Sequence, residues 1–145
     1  MDYLNIALLS NEQKFVRLKD FAGEKVVLYF YPKDNTPGCT LEAKDFTRLK
    51  HEFGGKGYRI VGVSKDSVQS HIAFCKSQDL DLLLLSDPDL LLAKAFDVLQ
   101  EKILLGKKTI GISRSTFLLD ETGKITKEYR GIKAEGHAIK ILDEI

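Results

Sequence analysis

The sequence predicts an α/β fold in which a central mixed β-sheet is flanked by helices in a three-layer sandwich. Short apolar segments typical of buried strands alternate along most of the chain with segments of helical periodicity. Near the end of the chain, two strand-like segments are joined by a connection too short for a crossover helix. The first pattern indicates parallel strands and the second an antiparallel pair, so the sheet is predicted to be mixed.

The first half of the chain contains two strand–helix units. The first strand has no polar alternation, as expected of a strand that is covered on both faces, and it ends at Pro32. Apolar residues then recur at spacings of three and four, which predicts an amphipathic helix. The four elements in order are strand Lys25–Tyr31, a helix from Thr40 to the glycines Gly54 and Gly55, strand Tyr58–Val63 and helix Ser67–Gln78.

The second half continues the alternation and then departs from it. The predicted elements are strand Leu82–Leu85, helix Leu90–Leu99, strands Thr116–Leu119 and Ile125–Tyr129, and a closing helix Ala134–Ile145. The last two strands flank a turn at Asp120 to Gly123, so we expect them to be antiparallel neighbours.

Length and composition indicate one domain spanning residues 1–145. The chain has 145 residues, of which 43% are hydrophobic, and a domain of this size folds without disulfide bonds or a structural metal. With 22 Lys plus Arg against 21 Asp plus Glu, the net charge is +1. No excess of basic residues therefore favours nucleic acid or an anionic membrane surface as a partner.

A membrane span and a secretory signal are not expected. The longest apolar stretch, Leu82 to Leu92, is interrupted by Asp87, Pro88 and Asp89, and it is shorter than the roughly 20 apolar residues that a span requires. The first residues carry Asp2 where a signal peptide carries Lys or Arg. We expect a cytoplasmic protein.

The most informative segment is YFYPKDNTPGCT, where a buried strand enters a loop and a helix begins at about Cys39 or Thr40. A cysteine at a helix N-terminus faces unpaired N–H groups and the positive end of the helix dipole, which favour the nucleophilic thiolate. Thr36 supplies a hydroxyl for the sulfur or for a substrate oxygen. The alternative is a buried structural cysteine, because free cysteines are often core residues.

Two segments, YPKDNTPGCTLEA and GISRSTFLLD, resemble peroxiredoxins of the bacterioferritin comigratory protein (peroxiredoxin Q) subfamily. The pattern of Pro, three residues, Thr, two residues and Cys falls on Pro32, Thr36 and Cys39, and the catalytic arginine falls on Arg114. The resemblance covers most of the chain. It implies a thioredoxin-like fold, reduction of hydroperoxides, no bound cofactor and recycling by a thioredoxin-like dithiol.

The roles implied by the resemblance agree with the chemistry of peroxide reduction. Cys39 attacks one peroxide oxygen, and Arg114 stabilises the thiolate and the charge that develops on the oxygens. Thr36 donates to the peroxide or accepts its hydrogen, and Pro32 shields the pocket from water. Without the resemblance, Arg114 would be interpreted as an exposed charge and Thr36 as a hydroxyl of the turn.

Cys75 is the candidate resolving cysteine, again by resemblance. Many members of the subfamily carry a second cysteine five residues after the first, but this chain has Lys44 there. Other members place it in the following helix, which here contains Cys75. A plain core role stays open, because Cys75 continues an apolar stripe with Val68 and Ile72.

Two other functions therefore remain possible at this stage. One is a one-cysteine peroxidase, in which an external thiol attacks the oxidised Cys39. The other is a redox-sensing or binding module of the same fold. We expect a monomer or weak homodimer. We predict no metal site, because His51, His71 and His137 show no ligand spacing with either cysteine. Glu42 lies one turn after Cys39; an exposed first-turn carboxylate is the favoured interpretation, and a hydrogen bond near the active-site loop is the alternative.

Overall fold

The computed structural model describes residues 1–145, which form nine strands and four α-helices. The strands are β1 Leu8–Ser10, β2 Phe15–Val16, β3 Lys25–Phe30, β4 Tyr58–Ser64, β5 Leu83–Ser86, β6 Leu99–Leu104, β7 Lys107–Ile112, β8 Ser115–Leu119 and β9 Ile125–Tyr129. The helices are α1 Pro37–Gly55, α2 Val68–Gln78, α3 Leu91–Ala95 and α4 His137–Glu144. Two short 3-10 helices, Asp2–Asn5 and Leu18–Phe21, belong to the N-terminal region.

Seven strands form the central sheet in the order β2-β1-β5-β4-β3-β8-β9. The strand pairs β3–β4 and β4–β5 are parallel, whereas β1–β2, β1–β5, β3–β8 and β8–β9 are antiparallel. The predicted mixed sheet is therefore confirmed, including the antiparallel pair around the turn at Asp120 to Gly123.

Strand β3 lies inside the sheet and separates two hydrophobic cores. Its side chains alternate between them, because successive residues of a strand point to opposite faces. Val27 and Tyr29 join one core with residues of α1, α2 and α4, whereas Leu28 and Phe30 join the other with residues of α3 and the N-terminal region. Both cysteines belong to the first core, Cys39 as a buried member and Cys75 at its edge. They therefore lie on the same face of the sheet.

The region between α3 and β8 differs from the prediction. Helix α3 covers only Leu91–Ala95 instead of Leu90–Leu99, and β6 and β7 form a separate antiparallel hairpin that the sequence analysis missed. Its two turn residues, Leu105 and Gly106, both have positive φ, at 53° and 78°. Asn-Gly is the usual sequence signal for such a turn, so leucine in the first position conceals it.

The other boundaries shift by a few residues. Helix α1 begins at Pro37 rather than at Cys39 or Thr40, and α4 begins at His137 after Gly136, whose φ is 72°. No helix combines the length and the apolar character needed to cross a membrane.

Gly62 lies where β4 packs closely against its neighbours, and a substitution at this position tests that packing. A Cβ atom on Gly62 would lie 2.7 Å from a methyl carbon of Leu84 and 2.8 Å from the buried ring of Tyr29, its partner in the sheet. We expect Gly62→Ala to lower the free energy of unfolding by about 1–3 kcal/mol, because the rigid ring must move. Gly54→Ala is the control, since a Cβ there meets no atom within 4 Å. Urea denaturation of both variants measures the difference, and equal stability would contradict this packing.

Candidate active site

Cys39 is the third residue of α1, and its position follows from the way the helix starts. Thr36 is the N-cap residue in an extended conformation, and its carbonyl accepts a hydrogen bond of 2.9 Å from the Thr40 N–H. Pro37 occupies the first helical position, where the missing N–H is not needed and the fixed φ suits a helix. Cys39 consequently lies in the first turn, where backbone N–H groups have no intrahelical partner.

The Cys39 thiol is buried against Arg114. Cys39 is 2% exposed, and its Sγ lies 3.4 Å from Nη2 of Arg114, which enters the site from the segment between β7 and β8. A Cβ atom on Gly38 would lie 3.0 Å from the same Nη2. A glycine at position 38 therefore permits the guanidinium to approach the start of the helix. The predicted Cys39 and Arg114 are thus brought together.

Glu42 is the site residue that the sequence analysis misjudged. The prediction of an exposed carboxylate is wrong, because the Glu42 side chain is fully buried and its Oε1 accepts a 2.7 Å hydrogen bond from Nη1 of Arg114. The signal was present in the sequence: Glu42 lies three residues after Cys39 and four before Phe46, on the buried stripe of α1. One guanidinium therefore contacts both the sulfur and the carboxylate.

Burial governs the ionisation of Glu42. It raises the pKa of Glu42 from 4.5 to about 7, against the opposing effect of the positive charge and hydrogen bond of Arg114. Its second carboxylate oxygen, Oε2, is buried without a hydrogen-bond partner. Burial would lower the pKa of Arg114, but the negative charges of Glu42 and Cys39 outweigh it, so the pKa of Arg114 is raised. The guanidinium stays charged beside the sulfur.

Thr36 and Pro32 lie in the loop that leads from β3 to Cys39. Both are partly exposed. The Thr36 hydroxyl donates a 2.7 Å hydrogen bond to the carbonyl of Lys33, which leaves its oxygen lone pairs free to accept. Pro32 follows the last residues of the buried strand.

A family match covers most of the chain. Residues 3–128 match the model of the AhpC/TSA family. The chain belongs to the AhpC/TSA family. The match includes the loop before α1, Cys39 and Arg114, and it ends within β9.

Several well-matched relatives of this AhpC/TSA protein are peroxiredoxins. Peroxiredoxin Bcp of Xanthomonas campestris is 50% identical over 125 residues, which are 86% of this chain and 78% of the relative. Peroxiredoxin Bcp of Bacillus subtilis is 43% identical over 141 residues, or 97% of this chain and 90% of the relative. The resemblance inferred from the motifs is confirmed: the chain is a peroxiredoxin, a thiol-dependent peroxidase.

Solved structures support the same fold. The bacterioferritin comigratory protein of X. campestris, described for its alkyl peroxide reduction, superposes with a TM-score of 0.93 at 43% identity and covers 99% of this chain and 91% of its own. BcpB of Mycobacterium tuberculosis gives a TM-score of 0.83 at 34% identity and covers 95% of this chain and 89% of its own. The predicted thioredoxin-like fold is thereby confirmed.

Cys75 lies apart from Arg114, on α2. It is half-buried, and its Sγ accepts a 3.5 Å hydrogen bond from Nδ2 of Asn11, which also donates to the carbonyl of Leu82 at 3.0 Å. Burial raises the pKa of Cys75, against the opposing effect of the Asn11 hydrogen bond. The two thiols are not bonded to each other. Helix α1 packs mainly on α4 and β4, whereas α2 packs on β5.

A cluster of possible metal ligands lies where the loop before α1 meets the beginning of α2. Ligand atoms of Asp34, Asp66 and His71 are within 4.8 Å of one another. Both ring nitrogens of His71 already face hydrogen-bond acceptors, namely Asp34 Oδ2 at 2.7 Å and the Leu85 carbonyl at 2.9 Å. No imidazole lone pair is therefore directed at a shared cation position, and the cluster does not fit a metal site.

The raised pKa of Glu42 predicts a pH-dependent stability. Its carboxyl binds a proton more tightly in the folded chain, at a pKa of about 7 against 4.5, so the free energy of unfolding falls as the pH rises through this window. Glu42→Gln cannot lose a proton and should remove about 2–3 kcal/mol of that fall between pH 5 and pH 8. Denaturation of both proteins across this range measures it, with Glu52→Gln as an exposed control from the same helix. Parallel curves for the wild type and Glu42→Gln would contradict the assignment.

Proposed function

We propose that Cys39 is the peroxidatic cysteine. The Cys39 thiolate attacks one oxygen of a hydroperoxide, the O–O bond breaks, and the products are a Cys39 sulfenic acid and water or an alcohol. One observation carries the proposal: the buried Cys39 thiol, in the first turn of α1, lies 3.4 Å from a guanidinium that Glu42 holds in place. The positive charge stabilises both the thiolate and the leaving oxygen.

The loop residues complete the peroxide pocket. Since the Thr36 hydroxyl donates to the Lys33 carbonyl, it is available to accept the hydrogen of the peroxide and so orient the O–O bond toward the sulfur. Pro32, at the end of β3, limits access of water to this pocket. The substrates are hydrogen peroxide and organic hydroperoxides.

Cys75 is the resolving cysteine in this proposal. Its thiolate attacks the Cys39 sulfenic acid, and the oxygen leaves as water after protonation, which forms an intramolecular disulfide. Two observations support it: both cysteines border the same core, and solved variants of Xanthomonas peroxiredoxin Q replace two cysteines that are 36 positions apart, the spacing of Cys39 and Cys75. A thioredoxin-like dithiol then reduces the disulfide in the cytoplasm, with the enzyme acting as a monomer or weak homodimer.

The burial of Cys75 requires a movement before resolution. A disulfide needs Cα atoms within about 7 Å and converging side chains, whereas the two sulfurs now contact different partners, Arg114 and Asn11. Once α2 opens, the burial that raises the pKa of Cys75 is lost, so a larger fraction becomes thiolate. Opening of α2 therefore brings the Cys75 thiol to Cys39 and also raises the fraction of Cys75 that is thiolate.

The two cysteines should respond differently to mutation. Cys39→Ser should abolish peroxide reduction, whereas Cys75→Ser should still complete one turnover and stop at a sulfenic acid, because only the attacking thiolate is needed to break the O–O bond. The measurement is mass spectrometry after one equivalent of peroxide, with dimedone to trap sulfenic acid. NADPH consumption with thioredoxin and thioredoxin reductase follows complete turnover.

Two outcomes would contradict this division of roles. If Cys39→Ser consumed peroxide, Cys39 would not be the nucleophile. If Cys75→Ser turned over at the wild-type rate with thioredoxin, an external thiol would resolve Cys39 directly, and the enzyme would use one cysteine.

Arg114 can be tested in the first step alone. Arg114→Ala should slow the reaction of Cys39 with peroxide by about a hundredfold or more, because the guanidinium supplies both the positive charge and the hydrogen-bond donors beside the sulfur. Arg114→Lys keeps the charge but loses the paired nitrogens that reach the sulfur and Glu42, so an intermediate rate is expected. Rapid-quench measurement of the thiol remaining gives both rates, and an unchanged rate in Arg114→Ala would contradict the role of Arg114.

A further inference from the structure

A buried hydrogen-bonded pair joins the loop before Cys39 to the helix that carries Cys75. Asp34 lies in that loop, and its Oδ2 is 2.7 Å from Nδ1 of His71 on α2. The two side chains are 2% and 0% exposed. Ser70 of α2 donates to the same oxygen at 2.8 Å, and the Tyr31 hydroxyl donates to Oδ1 at 2.6 Å. The loop is therefore tied to α2 by two hydrogen bonds, a buried one from His71 and a partly buried one from Ser70.

The hydrogen-bond partners of His71 and Asp34 all lie within the protein. Nε2 of His71 faces the Leu85 carbonyl at 2.9 Å, and a carbonyl only accepts, so Nε2 carries a hydrogen. Nδ1 faces a carboxylate oxygen that already accepts from Ser70. The His71 ring and the Asp34 carboxyl group therefore use their strong donors and acceptors within the protein. Such a cluster holds elements together and leaves no atoms free for a ligand.

The position of each partner relates the pair to the proposed reaction. Asp34 lies five residues before Cys39, and His71 lies four residues before Cys75, one helical turn away on the same side of α2. The backbone N–H of Asp34 also donates to Asp66 Oδ2 at 2.9 Å, just before α2 begins. Opening α2 far enough to move Cys75 must displace His71 and break its contact with Asp34.

We propose that the His71–Asp34 pair is a latch that times the resolution of oxidised Cys39. While it is closed, α2 stays folded and the loop keeps its peroxide-reactive arrangement. When it breaks, α2 opens and Cys75 reaches Cys39. This inference rests on the proposed function, and both residues act as positioning residues that do not touch the peroxide.

The latch also determines how readily Cys39 is overoxidised. While α2 is closed, a second hydroperoxide can oxidise the Cys39 sulfenic acid to a sulfinic acid and leave as water or an alcohol. Disulfide formation competes with this reaction. A weaker latch therefore speeds the disulfide and lowers the yield of sulfinic acid.

His71→Gln separates the two contacts of the imidazole. The glutamine amide can keep the hydrogen bond to the Leu85 carbonyl, but it leaves the buried Asp34 carboxyl group without its imidazole partner. This destabilises the closed state more than the open state, in which Asp34 is hydrated. We expect sulfenic acid to form on Cys39 within about twofold of the wild-type rate, and the disulfide to form about tenfold faster. The yield of sulfinic acid at fixed peroxide excess should fall by a similar factor.

Two further variants distinguish a latch from a general loss of stability. Ser70→Ala removes only the second contact of α2 with Asp34 and should speed the disulfide by about threefold, which keeps the test decisive if His71→Gln does not fold. His137→Gln is the matched control, since His137 is also buried and hydrogen-bonded, to Thr116, but lies on α4. It should leave the disulfide rate unchanged.

Rapid quench, dimedone trapping and mass spectrometry measure the sulfenic acid, the disulfide and the sulfinic acid in one experiment. If the wild type forms the disulfide, and neither His71→Gln nor Ser70→Ala forms it faster, the latch is overturned and the proposed function still stands. Equal acceleration in His137→Gln would also overturn it. A wild-type enzyme that forms no Cys39–Cys75 disulfide would overturn both proposals. Hydrogen exchange provides a second readout: amides of residues 72–78 should exchange faster in His71→Gln relative to those of β3.

Discussion

The site depends on one partly buried guanidinium that is shared between a sulfur and a carboxylate. Arg114 places one nitrogen 2.7 Å from Glu42 and another 3.4 Å from Cys39. A desolvated cation requires such partners, because burial of an unpaired charge is costly. The surrounding sequence meets this requirement geometrically: Gly38 leaves room for the guanidinium, and the helix start at Pro37 brings Cys39 and Glu42 onto one face.

The same arrangement places a destabilising group in the core. Glu42 is buried with one oxygen unpartnered, and its raised pKa shows that the folded chain disfavours its charge. The residues next to it on α1 offset this cost through apolar burial, since Ala43, Phe46 and Phe53 are almost fully buried in the core on that face of β3. Functional sites commonly carry such local costs, and here the surrounding helix face compensates for it.

Local patterns in the sequence predicted those parts of the fold that depend on neighbouring residues. The apolar run of β3 and the tight turn between β8 and β9 were recognisable from the sequence, and Cys39 was placed near a helix start from the change to helical spacing of apolar residues. Arg114 was assigned only through the family resemblance, because no spacing links it to a helix 75 residues away. The His71–Asp34 pair, 37 residues apart, has no local signal either. Long-range polar pairs require the topology before they can be recognised.

The two cysteine-bearing helices differ in how much of the core they hold. Six residues of α1 are buried, including Phe46, Leu49 and Phe53, whereas α2 buries only His71 and Phe74. Opening α2 thus exposes much less apolar surface than opening α1 and is the less costly movement. One of its two buried anchors, His71, is a hydrogen-bonded polar side chain rather than an apolar one. Water hydrates the polar groups when this contact breaks, which does not happen for an exposed phenylalanine, so a polar anchor suits a helix that must open and close in every catalytic cycle.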